Sequence, residues 1–170
     1  FMMLVKVHVQ AGEEHLSGSG HRSSVRIRSA GIEELPEVQN IENSCFQEER
    51  YSTEVLAAML EEEGFETFLA EEDGEIMGSA TVNYRDDLIA AQLVSIAVLP
   101  QHRGRGVAKA LLSEAEARVV RRGADIMVLQ AGVTNIAALT LYLCYGYVLR
   151  GVIGDYYGPG RDAYFMDKML

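Results

Sequence analysis

The segment Gln101-His-Arg-Gly-Arg-Gly-Val-Ala108 sets two glycines and two arginines between an aliphatic run and an amphipathic one. Gly104 and Gly106 can take positive φ and let the backbone come close to a ligand. A helix opening near Gly106 leaves its first amides without intrahelical acceptors, beside the positive end of the helix dipole. That combination makes an anion site. A Walker-type loop would need Gly-Lys-Ser/Thr at the helix start, and Gly106-Val107-Ala108 offers no hydroxyl for Mg²⁺. The dinucleotide fingerprint needs a third glycine where Lys109 stands. What remains is Arg103-x-x-Gly106-x-Ala108, overlapped by Gln101-x-x-Gly104-x-Gly106.

The elements around this turn follow from periodicity. Val94, Ile96 and Val98 mark a buried strand that stops at Pro100, which cannot donate into a ladder. Residues 1–24 read as an extension or linker, with Ser17-Gly-Ser-Gly as its flexible part, and residues 25–170 read as one domain. Within it the pattern predicts a strand at 25–29 and a helix over 32–43. A second helix is capped by Ser52 and ended by Gly64. A hairpin turning at Asp73-Gly74 follows, then a turn at 85–87 and a long central strand over 88–99. A helix over about 105–122, burying Val107, Leu111, Ala115 and Val119, then leads to a strand at 125–131. A right-handed crossover makes that strand parallel to the central one. Thr134-Asn135 caps a helix to Cys144, and strands over 147–155 and 163–169 close the chain as a hairpin.

The Gln/Arg-x-x-Gly-x-Gly/Ala loop, preceded by Ser95-Ile-Ala-Val-Leu-Pro100, resembles the pyrophosphate loop of the GNAT superfamily of acetyl-CoA-dependent N-acetyltransferases. The resemblance covers about residues 25–170. It implies an α/β GNAT fold: a mixed, mostly antiparallel sheet of about seven strands flanked by four helices, with one splayed parallel pair. It further implies acetyl-CoA as co-substrate, held by the backbone of Arg103, Gly104, Arg105, Gly106, Val107 and Ala108, with both guanidiniums adding charge at the phosphates. Ile96, Ala97 and Val98 would bind the pantetheine and the acetyl carbonyl. Val133-Thr-Asn-Ile-Ala-Ala-Leu-Thr-Leu-Tyr142, continuing to Gly146-Tyr147, resembles the family's N-x-x-A-x-x-L-Y-x-x-x-G-[FY] segment. It implies that Asn135 contacts the cofactor and Tyr142 stands near its sulfur. A phenol of pKa about 10 is protonated at pH 7 and can donate to a departing thiolate.

Substrate and base come from the same comparison. Tyr156-Tyr157-Gly-Pro-Gly-Arg-Asp-Ala-Tyr-Phe-Met166 resembles the Tyr-Tyr-x-x-G-x-D-A-x-x-M segment of protein N-terminal acetyltransferases, including the ribosomal-protein and archaeal broad-specificity types. It implies that Tyr156 and Tyr157 flank the peptide, with Phe46 and Tyr51 as the opposite wall. Gln130 stands where that branch often carries a glutamate, and an amide is no base. An α-amine of pKa near 8 is already about 10–15% neutral at pH 7, whereas a lysine is only about 0.04% neutral. The missing acid is therefore tolerable for an N-terminus and damaging for a lysine. Glu48 and Glu49 are the provisional bases, directly or through water.

A net charge of −10 argues against a nucleic-acid partner and suits cationic amines. No membrane segment and no metal site is expected, and two cysteines, both expected buried, form no disulfide framework, so the cytoplasm is the expected compartment. The expected reaction is acetyl transfer from acetyl-CoA to protein N-terminal α-amines. The alternatives are a lysine or small-amine acetyltransferase, or a non-catalytic acyl-CoA-binding module. Ribosome association, and a monomeric or dimeric state, stay open.

Overall fold

In the computed structural model, residues 25–84 and 89–170 are described. The extension over 1–24 and the turn at 85–87 lie outside them. The chain runs β1 (Arg26–Ser29), α1 (Leu35–Cys45), α2 (Thr53–Glu61), β2 (Phe65–Glu72), β3 (Glu75–Tyr84), β4 (Ala90–Val98), α3 (Val107–Arg121), β5 (Ile126–Gly132), α4 (Ile136–Cys144), β6 (Val148–Ile153) and β7 (Ala163–Met169). The strands form one seven-stranded sheet in the order β1-β2-β3-β4-β5-β7-β6. Every neighbouring pair is antiparallel except β4 and β5. This is the expected α/β arrangement, with four α-helices and one parallel pair.

Alternation along the strands assigns the two faces. Phe68 and Ala70 of β2 share a core with Ile96 and Val98 of β4 and with Val107, Leu111, Ala115 and Val119 of α3. Leu69 and Ala97, one residue out of step, pack with Val38 and Ile41 of α1 and Leu56 of α2. Each central strand thus has both faces covered, which is why β4 reads as a nearly continuous apolar run. Gly78 marks the tightest approach of β3 to β4: a Cβ there would stand 2.4 Å from the Ala97 carbonyl oxygen. Gly78→Ala is expected to cost about 2 kcal/mol, the scale of overpacking, read as a lowered thermal midpoint.

Two local features, the start of α1 and the exposure of Cys144, differ from expectation. α1 starts three residues later, because Ile32–Glu34 is a 3-10 turn closed by the Glu34 carboxylate accepting from Gly31 N–H at 2.7 Å. Pro36 then falls in the first turn of α1, where its missing donor costs nothing. The closing hairpin enters the sheet through β7, which lies against β5. β7 buries Ala163 and Met166 on the sheet, while β6 is mostly exposed and takes the edge. Cys45 is buried as expected but Cys144 is exposed. It lies off the stripe of Ala138, Leu141 and Tyr142 that α4 buries.

Candidate active site

The glycine turn has the geometry its sequence requires. Gly104 and Gly106 have φ of 72° and 78°. The first α3 hydrogen bond runs from Ala110 N–H to Gly106 O, so the amides of Val107 and Ala108 have no carbonyl of this helix to accept them. A Cβ on Gly106 would meet nothing within 4 Å, so the space before that amide row is open. Both arginine side chains have partners within the protein. Arg103 Nε donates to Val98 O at 3.1 Å, and Arg105 pairs with Glu72 and lies 3.3 Å from His102 Nδ1. They tie the turn to β4 and to the β2–β3 hairpin.

Above the turn the sheet opens. β4 and β5 pair only over Ala90, Ala91 and Gln92, opposite Ile126, Met127 and Val128. Beyond Gln92 the ladder between them stops, although β4 still pairs with β3 and β5 with β7. A bulge explains the parting. Thr81 lies opposite Ser95 and Val82 opposite Leu93, so Val94 is an extra residue in β4. The bulge also flips the alternation: Leu93 and Ile96 both face α3, while Val94 packs with Met59 on the other face. Ile96, Ala97 and Val98 therefore lie along one side of a V-shaped cleft whose backbone donors on that side have no strand partner.

α4 supplies two buried donors to the same region. Asn135 caps the helix, its Oδ1 accepting from Ala138 N–H at 3.1 Å, and its Nδ2 is buried without a partner. Tyr142 is 0% exposed, and its hydroxyl is buried without a partner too. Each such orphan costs about 1–3 kcal/mol, a cost that points to a missing polar partner. Burial, with Tyr157 adding to it, holds the Tyr142 phenol well above the usual pKa of 10, so it stays neutral and keeps a proton to donate.

Two loops close the other side. Tyr157 is buried: its hydroxyl donates to Gln130 O at 3.3 Å and its ring lies against Gly132. Tyr156 is half-buried, its hydroxyl 3.4 Å from Gln130 Oε1, and the two rings meet edge to face at 4.9 Å. Of the pair, Tyr156 is thus the more accessible. Arg161 in the same loop pairs with Glu49 and, at 3.4 Å, with the exposed Glu48, joining this loop to the α1–α2 loop. Phe46 is 6% exposed and sits in the core with Leu56 and Leu99, so it backs the wall rather than presenting an open face. Tyr51 is half-buried. Its N–H donates at 2.6 Å to the buried carboxylate of Glu42, which desolvation pushes up to about 7 against the pull of that hydrogen bond. Glu42 is not among the residues singled out from the sequence. The signal was there: it falls on the apolar stripe of α1, four residues after Val38 and three before Cys45.

Chain comparisons agree with this geometry. The acetyltransferase (GNAT) family profile matches residues 35–147. The chain is 31% identical to an N-alpha-acetyltransferase of Sulfurisphaera tokodaii, over 85% of this chain and 93% of that one. The ribosomal-protein-S18-alanine N-acetyltransferase of Escherichia coli superposes with a TM-score of 0.78 at 24% identity, over 86% of this chain and 94% of its own. A Salmonella typhimurium protein solved with acetyl-CoA superposes with a TM-score of 0.74 at 23% identity, over 87% and 95%. An amide cradle at a helix start, a parted parallel strand pair and two orphaned donors on α4 fit an acyl thioester carried on a pyrophosphate. The chain belongs to the acetyltransferase (GNAT) family and is an acetyl-CoA-dependent N-acetyltransferase.

Proposed function

We propose that this enzyme acetylates the N-terminal α-amine of proteins. The observation that carries the reading is the docking of Tyr156 and Tyr157 onto Gln130, beside the fork of β4 and β5, with Arg161 of the same loop joined to the α1–α2 loop. This leaves a polar aromatic wall where an extended peptide end can lie. The relatives named N-alpha-acetyltransferase and the ribosomal-protein-alanine acetyltransferase support the same substrate class.

Acetyl-CoA supplies the acetyl group as a thioester. The amides of Gly104 to Ala108 hold its pyrophosphate, and Asn135 Nδ2 gives a further donor. Free N–H groups on the β5-facing edge of β4, at Ile96 to Val98, polarise the carbonyl. The amine nitrogen forms the new N–C bond as the C–S bond breaks toward sulfur, and Tyr142 O–H donates to that sulfur. Glu48 or Glu49, directly or through water, takes the amine proton. Arg161 pairs with both, and Glu48 is the more open of the two.

Incubation with acetyl-CoA and peptides carrying a free α-amine and an internal lysine, read by mass spectrometry, tests this. Product should form on the α-amine alone and vanish when it is blocked. Acetylation of the internal lysine on a blocked peptide would overturn the reading. The rate should rise with pH around about 8, following the α-amine. Asn135→Ala should weaken acetyl-CoA binding about tenfold, as expected for one lost hydrogen bond of about 1 kcal/mol or slightly more, and should also lose the α4 cap. Titration calorimetry and a melting curve read the two losses separately.

A further inference from the structure

Gln130 is more than the absence of a base. Its side chain is buried at 8% exposure, and its Oε1 accepts from Gln92 Nε2 at 2.7 Å while lying 3.4 Å from the Tyr156 hydroxyl. Its main-chain oxygen takes the Tyr157 hydroxyl at 3.3 Å. Gln92 is the last residue of β4 to pair with β5, opposite Val128, and Gln130 lies two residues further along β5. The Gln92–Gln130 bond therefore crosses the fork where the two strands begin to part. An amide oxygen has two lone pairs, and here Gln92 and Tyr156 address both. One residue thus touches the apex of the cleft and both tyrosines of the β6–β7 loop.

We propose that Gln130 is a positioning residue, fastening the Tyr156-Tyr157 loop to the fork of β4 and β5 so that the peptide is registered against the acetyl group. The proposal rests on the N-terminal reading above and deepens it. Burial keeps the Tyr156 phenol protonated, its pKa pushed up to about 12, so its donor is present at every working pH. Gln130 itself touches neither proton nor thioester. It acts on peptide binding through Tyr156, and leaves the amide cradle after β4 untouched.

The test is steady-state kinetics with a free-amine peptide, varying peptide and acetyl-CoA separately, on Gln130→Leu, Gln130→Glu and Gln92→Leu. Gln130→Leu is similar in size, loses the two bonds on Oε1 and keeps the main-chain acceptor of Tyr157; it should raise the peptide KM about tenfold and leave the acetyl-CoA KM within about twofold. Gln92→Leu should raise the peptide KM about threefold. Gln130→Glu keeps both acceptor positions and should hold the peptide KM within about threefold of wild type. An unchanged peptide KM in Gln130→Leu, or an equal rise in both KM values, overturns the proposal. Tyrosine ¹³Cζ NMR reads the fastening without catalysis, with Tyr156→Phe assigning the signal and melting curves checking each variant's fold. The Tyr156 signal should move in Gln130→Leu while that of Tyr164 stays. If Tyr156 does not move, the fastening is wrong. If it moves and the wild-type enzyme acetylates no peptide, the substrate reading has failed instead.

Discussion

Tyr142→Phe is expected to lower kcat about a hundredfold while leaving acetyl-CoA affinity within about threefold, the signature of a contact made mainly as the C–S bond breaks. Stability should move the other way. A core tyrosine kept for packing would have its hydroxyl bonded, and removing it would be destabilising. Here the hydroxyl is buried at 0% exposure with no partner, so its removal should raise stability by up to about 1 kcal/mol. A group that costs stability and is nonetheless present suits a functional role. The magnitudes also decide what the phenol does. Its pKa is pushed well above the usual value by burial, and a free thiol's is about 8.5, so complete proton transfer from phenol to thiolate is uphill. On the proposed mechanism Tyr142 would therefore stabilise the sulfur by a hydrogen bond that strengthens as charge develops there. The proton that finishes the reaction can come from solvent. A pH profile should accordingly show no loss of kcat from Tyr142 ionisation below about pH 10. Full activity in the phenylalanine variant, together with a lower melting temperature, would make Tyr142 an ordinary core residue.

Local chemistry was the most legible layer of the sequence. Gly104 and Gly106 announced a turn with positive φ, Asp73-Gly74 a tight hairpin and Asn135 a cap, because each acts over three or four residues. The parallel pairing of β4 and β5 was legible through the handedness of the crossover. Long-range choices were less so. The insertion of β7 between β5 and β6 depends on which strand has the better face to bury, a comparison across the whole sheet. The charges of Arg103 and Arg105 were visible in the sequence, while their protein partners, Val98 O and Glu72, were remote in kind or in sequence. Gln130 was legible only as a lost acid. Its three partners come from β4 and from the β6–β7 loop, 38, 26 and 27 residues away along the chain.

Glu42→Gln is expected to stabilise the protein by about 3 kcal/mol at pH 8 and by only about 1 kcal/mol at pH 5. The carboxyl titrates at 4.5 in an ordinary setting and at about 7 in the fold, raised by burial. Between those values the folded state keeps a proton that the unfolded state has lost, so stability falls as pH rises through the window. The whole penalty is in force above pH 7, at about 1.4 kcal/mol for each tenfold difference in proton affinity between the folded and unfolded states. Glutamine keeps an acceptor for the Tyr51 N–H, now held at 2.6 Å by Glu42 Oε1, and removes the charge. For a domain of this size the gain at pH 8 should appear as a melting temperature higher by about 6–10 °C. Equal gains at both pH values would show that packing, not ionisation, is responsible; a loss at pH 8 would mean that the buried anion stabilises the fold. The position says why a costly acid would stay. The Glu42 main-chain oxygen accepts from Phe46 N–H at 3.0 Å while its carboxylate accepts from Tyr51 N–H, so one residue clasps both ends of the loop that carries Glu48 and Glu49. A charged acceptor grips an amide more firmly than a neutral one. The glutamine variant should therefore be the more stable protein with the looser loop, and a raised peptide KM beside a raised melting temperature would separate those two roles of one carboxylate.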